Sequence, residues 1–194
     1  YDQVLTRVKS LPGVIAAGYT TSVPLVWKGG TSGFLPEGRQ PEPGLSYDAN
    51  FRQVSEDYFK TIGIALRQGR FFADSDTEQT PLVAIINETM AKQYWPGTTA
   101  VGKRFDLGDP SSHLWATIVG IAADVRQMGV DEPVKAEMYF PYRQLTAYAF
   151  YKPRELVLRT TSNPTSYVAA VRREIYAVDP DQPISNVRTM AEIL

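Results

Sequence analysis

The chain has 194 residues, 20 basic against 21 acidic side chains, a formal net charge of -1 and a hydrophobic share of 43%. That balance suits one folded domain, or two small subdomains sharing a boundary, excludes a disordered chain, and leaves no net field to hold nucleic-acid phosphates or an anionic bilayer. The absence of cysteine excludes disulfides, thiolate nucleophiles and cysteine metal sites, and the most apolar stretches, 81–86 and 116–123, fall far short of the ~20 residues of a membrane-spanning helix.

Val4, Leu5, Val8 and Leu11 share one helical face, and Pro12-Gly13 stops that helix. Residues 14–23 then read as a strand closing at Pro24. The stretch 26–45, with five glycines and three prolines, is a long loop with room for a short strand near Phe34. Trp27 and Phe34 within it are expected as core pegs ahead of contact residues. A strand over 46–54 is expected to pair antiparallel with 14–23. Ser55 is expected to cap a short helix whose first turn holds Glu56 and Asp57 and whose end is Gly63.

Residues 64–67 form a short strand, 74–80 a polar loop, and 81–86 an apolar strand. Asn87 caps a helix over 88–94 that stops at Trp95-Pro96-Gly97. Strands at 103–107 and 114–125 suggest a hairpin, followed by strands at 137–142 and 155–160. Asn163, with Pro164 at the first helical position, opens a helix whose stripe is Tyr167, Val168, Val171, Ile175 and Val178. Asp179-Pro180 ends it, and 184–188 reads as a final strand. Helix, proline turn and strand at 2–23 thus recur at 164–188, which predicts two related α–β units side by side with residues 56–149 inserted between them. Thr189 and Glu192 fit a capping box. Both ends are therefore expected to be helices that run on in a longer parent chain.

No constellation of catalytic type emerges. His113 lies in a turn without partners at motif spacing, so neither a triad nor a histidine metal site can be built on it. The paired acids Asp74/Asp76, Asp124 with Asp131 or Glu132, and Asp179/Asp181 each have a structural explanation, and neither glycine-rich phosphate motif occurs. No cofactor and no metal is expected. Asp124 is expected to contact Arg126.

The string Val54-Ser55-Glu56-Asp57-Tyr58-Phe59-Lys60-Thr61-Ile62-Gly63-Ile64, running to Gly69-Arg70-Phe71-Phe72, resembles the extracytoplasmic domain of MacB-like or FtsX-like ABC-transporter permeases. The resemblance continues through 83–88, Tyr94-Trp95-Pro96-Gly97, 101–105, 118–121 with Asp124-Val125-Arg126, Glu132-Pro133, Tyr139-Phe140-Pro141-Tyr142, 179–183 and 187–190. It implies an α+β fold: a porter-like subdomain of two α–β units on a mixed sheet, formed by 1–55 and 150–194, with 56–149 as an inserted second α/β lobe. It also implies a domain outside the inner membrane, between the first two membrane helices of a permease. Its partners would be those helices, a second permease subunit, indirectly a cytoplasmic ATPase, and an adaptor in relatives that have one. Catalysis is not implied. Tyr58, Phe59, Gly63, Gly69, Arg70, Asn87, Trp95, Pro96, Gly102, Asp124, Arg126, Pro141 and Arg188 are the family-motif residues, expected to set the fold rather than react. Two other functions are weighed: a binding module for a small amphiphile or lipid lined by Trp27, Phe34, Tyr148, Phe150 and Tyr151, and a two-carboxylate hydrolase.

Overall fold

Ten strands form one mixed sheet in a computed structural model that describes residues 1–26, 29–40, 47–108, 113–127, 129, 131–146 and 152–194. They are β1 (Val14–Thr20), β2 (Thr31–Gly33), β3 (Leu35–Pro36), β4 (Asp48–Val54), β5 (Leu66–Gly69), β6 (Val83–Asn87), β7 (Arg104–Asp106), β8 (Trp115–Ala122), β9 (Glu137–Pro141) and β10 (Glu155–Thr160). The order is β10-β1-β4-β9-β6-β8-β7-β3, with β2 on β4 and β5 on β8. Helices α1 (Asp2–Lys9), α2 (Tyr58–Ile62), α3 (Glu88–Tyr94), α4 (Val168–Tyr176) and α5 (Met190–Ile193) complete the α+β architecture, with a 3₁₀ turn at Pro164–Tyr167 leading into α4.

Two parallel pairs tie the middle together: β4 with β9, Asn50↔Glu137 through Val54↔Pro141, and β6 with β8. Strands buried on both faces carry near-continuous apolar runs, as Val83–Ile86 does, every residue of which is buried. Two large apolar clusters lie on this central region. One joins Phe34, Phe51, Met90, Phe105, Ile118 and Phe140; the other joins Val54, Tyr58, Phe59, Ile85 and Tyr139. A third, smaller cluster belongs to the ends of the chain: Val4, Leu5 and Val8 of α1 meet Ala17 of β1 and Ile175 of α4, with Leu156 and Leu158 of β10 packed against them.

Most local signals act as expected. The Asn87 side chain accepts from the Met90 amide at the start of α3, the Asn163 side chain from Thr165, and Thr189 with Glu192 closes a full capping box. Gly63 ends α2 at φ 87°. The hairpin of β7 and β8 pairs antiparallel, Arg104↔Thr117 to Asp106↔Trp115, while its turn at 109–112 lies outside the described residues.

Other expectations need correcting. Ser55 does not cap α2, because its hydroxyl accepts the Tyr19 amide at 2.9 Å and so ties α2 to β1; Asp57 occupies the cap position without a side-chain bond. β4 does pair antiparallel with β1, at Thr20↔Val54 with Thr21 donating to Gln53 and Ser55 to Tyr19, but the contact is short and its long partner is β9. The short strand expected near Phe34 is present as two, β2 and β3, on either side of it. Residues 184–188 form no strand: Asn186 takes φ 54°, which breaks an extended run, and Val187 is exposed. The second α–β unit is therefore built in the order strand then helix. β10 lies antiparallel on β1, and α4 beside α1, where Arg7 and Glu174 pair at 3.0 Å.

Candidate functional site

The most unusual local chemistry is at the β4–β9 pair. Arg52 and Glu137 face each other at 2.8 Å with side chains 0% and 1% exposed. Arg52 also donates to the carbonyls of Phe51 at 2.9 Å and Gly30 at 3.4 Å, and Gln127 donates to Glu137 at 3.3 Å. Burial pushes the Glu137 carboxyl above its usual range, and the Arg52 charge pulls it back. Burial likewise raises the hydroxyls of the enclosed Tyr58 and Tyr139. The pair also positions a loop. Gly29, at φ 73°, lies so close that a Cβ there would sit 2.4 Å from the guanidinium, and Leu25 donates to the Gln127 carbonyl at 3.1 Å.

Asn87 is the next joint. Its Oδ1 accepts from Met90 at 2.9 Å and from the Glu137 amide at 3.0 Å, and its Nδ2 donates to the Lys135 carbonyl at 2.9 Å, all in a fully buried position. One side chain thus starts α3 and clamps it to β9. Asp124 works on the same helix end by accepting the Thr89 amide at 2.9 Å and the Thr89 hydroxyl at 2.8 Å. Both of these bonds run to α3, and Arg126, two residues on, is exposed. Asn87→Ala is expected to cost about 2 kcal/mol, since a cap and two buried bonds go together, measured by denaturant unfolding.

Tyr58 and Phe59 are fully buried in the second cluster, and Pro141 is buried at the end of β9. Gly69 lies opposite Gly120, and Arg70 forms a two-pronged pair with the buried Asp76 at 2.7 and 2.8 Å. Trp95 leans on Phe105, with ring centres 6.5 Å apart, and Pro96 stands exposed in the turn beyond. The Gly102 amide donates to Ile118 at 2.8 Å, whereas Arg188 is exposed in the coil before α5. The motif residues are thus dispersed over the sheet and do not converge on one cleft. His113, expected without partners, contacts Asp106 and stacks on Trp115 at 5.8 Å. Phe34 is a core residue between Tyr94 and Phe105, while Trp27, Tyr148, Phe150 and Tyr151 lie outside the described residues. Among the described residues no group of three or more His, Asp or Glu is placed to hold a metal ion, and no helix is long and apolar enough to cross a membrane.

A further cluster, not anticipated from sequence, centres on Arg143 just after β9. Its guanidinium reaches Asp2 at 2.8 Å, Glu56 at 3.1 Å and Asp74 at 3.5 Å, and Tyr142 donates to Asp2. Arg143 and its three carboxylates, with Leu5, Thr6, Lys9 and Phe72, border a groove of about 630 Å³. Burial alone would raise the carboxyls of Asp2 and Asp76, but hydrogen bonds from Arg143 and Tyr142 to the first, and from Arg70 and the Ala73 amide to the second, hold both below the ordinary range. A carboxyl lowered on folding stabilises above its unfolded pKa, and that stability is lost as pH falls through the folded value. The Tm is therefore expected to hold from neutrality to about pH 5 and to drop below about pH 4, with Asp76→Asn showing a shallower drop.

Among the described residues these features are polar joints between sheet, helix ends and loops. A family model described as MacB-like periplasmic core domain matches residues 1–178, and the chain belongs to that family. It is 26% identical over 94 residues to the macrolide export ATP-binding/permease protein MacB of Aggregatibacter actinomycetemcomitans, a match covering 48% of this chain and 14% of that protein's length. In fold it is similar to the periplasmic region of MacB from Actinobacillus actinomycetemcomitans, with TM-score 0.64, 15% identity, and 90% of this chain and 72% of the other covered. The extracellular domain of the ABC-type transporter YknZ from Gram-positive bacteria gives 0.59 at 17% identity, covering 93% and 82%. A domain of a permease protein from Porphyromonas gingivalis gives 0.55 at 20%, covering 86% and 65%.

Proposed function

We propose that this chain is the extracytoplasmic domain of an ABC-transporter permease of the inner membrane, placed between its first two membrane helices. There it passes motion driven by cytoplasmic ATP hydrolysis to transport or to an envelope partner, without catalysis of its own. The observation that carries this is the membership of residues 1–178 in the MacB-like periplasmic core family. The side-by-side packing of α1 and α4 on β1 and β10 supports it, because a chain entering through α1 and leaving beyond α4 is then gripped by one paired unit. In this proposal 1–55 with 150–194 is the lobe nearer the membrane and 56–149 the lobe carried by it. Its partners are the permease's own helices, a second permease subunit, the ATPase and, in some systems, an adaptor.

Excising the domain from the parent permease and bridging the gap with a Gly-Ser linker tests the proposal. In proteoliposomes ATP hydrolysis is expected to persist while transport stops. Undiminished transport would overturn it. Because the chain lacks cysteine, a single Arg188→Cys in an otherwise cysteine-free parent also reports sidedness. It is expected to react with an impermeant maleimide added outside the inner membrane.

A further inference from the structure

Helix α1 is attached in two different ways. Its apolar side, Val4, Leu5 and Val8, packs into the small terminal cluster with Ala17 and Ile175. Toward the rest of the domain it faces the groove, which is crossed by ion pairs at both ends of the helix: Asp2 to Arg143, and Lys9 to Asp57. Arg143 is the more connected end. Besides Asp2 it holds Glu56 from the link between β4 and α2, and Asp74 from the link between β5 and β6. Tyr142 alone separates the arginine from the end of β9, which is hydrogen-bonded to both β4 and β6 in the middle of the sheet. The entry to α1 is held further by Tyr1, whose ring packs edge-on against Tyr142 at 5.4 Å and Tyr19 at 4.9 Å and whose hydroxyl donates to Pro153.

We infer that Arg143 is a reversible latch coupling the start of α1 to the central strands across the groove. Asp2 and Asp74 are exposed, so their pairs are individually weak and screened by salt, while the better shielded Glu56 keeps Arg143 on the central side. Helix α1 is thus released at Asp2 without unfolding the sheet. Three carboxylates converging from separate elements make it selective: displacement of α1 is felt at the two links and at β9 together. The groove supplies the space in which α1 moves. Arg143 is thus a positioning residue. The inference rests on the proposed function only for the use made of the movement.

The test uses the cysteine-free chain with Thr6→Cys and Ala73→Cys, two exposed residues on opposite walls of the groove, each spin-labelled. A single narrow distance distribution is expected at low ionic strength. Arg143→Gln, or 1 M salt acting on Arg143, is expected to broaden and lengthen it, with Arg143→Lys intermediate. Amide exchange over residues 2–9 should rise at least tenfold in Arg143→Gln while β6 and β8 keep their protection, which also reports that the variant is folded. Distances and exchange indistinguishable from the parent in Arg143→Gln would overturn the latch. The same substitution in the full permease is expected to lower transport per ATP several-fold, restored in part by Arg143→Lys. If the spin-label response is present and transport is unchanged, the latch stands and its use in transport falls.

Discussion

Arg52→Met will destabilise the domain by about 3–5 kcal/mol, and Glu137→Leu by a similar amount, because each leaves the other charge buried without its partner. The double variant Arg52→Met/Glu137→Leu will recover most of that loss and fall within about 1–2 kcal/mol of the parent, since two apolar side chains then fill the space and no charge is stranded. The argument rests on geometry: side chains 0% and 1% exposed, 2.8 Å apart, at the pair of strands that joins the two large clusters. Urea unfolding of the four proteins measures it as a double-mutant cycle. A single variant costing no more than about 0.5 kcal/mol would show that water reaches the pair and that its burial is only apparent. The double variant is expected to keep its fold and lose the ordering of the loop at Gly29 and Gly30, seen as faster amide exchange there, because the guanidinium holds that loop.

Gly69→Ala is expected to cost about 3 kcal/mol and to loosen β5 from β8. A Cβ at Gly69 would sit 2.1 Å from the Val119 carbonyl oxygen and 2.9 Å from the Gly120 Cα, both backbone atoms that cannot rotate away, and the residue is held at φ 74°. Gly97→Ala separates the two causes. It has nearly the same φ, 72°, with nothing near the site of its Cβ, so it should cost only the conformational strain of about 1–2 kcal/mol. Equal losses at the two positions in thermal unfolding would refute the close-approach argument.

What could be read from the sequence was local. The caps at Asn87, Asn163 and Thr189, and the stop at Gly63, act within one helical turn, so their residue types carry the whole signal. Ser55 was the exception because its oxygen meets Tyr19, 36 residues away. Arg52 and Glu137 were illegible for a related reason. In Ala49-Asn50-Phe51-Arg52-Gln53 the alternation marks Arg52 as a residue of the solvent face, and only the parallel pairing with β9, beneath a covering loop, encloses it. Arg143 likewise gathers Asp2, Glu56 and Asp74 by tertiary folding alone. Residues 184–188 show the converse: a β-branched pattern is not a strand when no neighbouring edge receives it. The family motifs, by contrast, were readable in order along almost the whole chain because they mark turns, caps and core positions. None of them forms a reactive cluster, and their dispersal over the sheet follows from that.

The pairing of β1 with β10 also governs when this domain can fold. β1 emerges early, yet it has a single bridge to β4 and finds its lasting neighbour only when Glu155–Thr160 arrives, almost at the end of the chain. Contacts so distant in sequence carry a large loop-closure cost and slow the search. The β1 edge therefore stays open during folding until Glu155–Thr160 pairs with it. That interval offers an unpaired strand edge to neighbouring chains, and the hazard of aggregation ends only when β10 covers it.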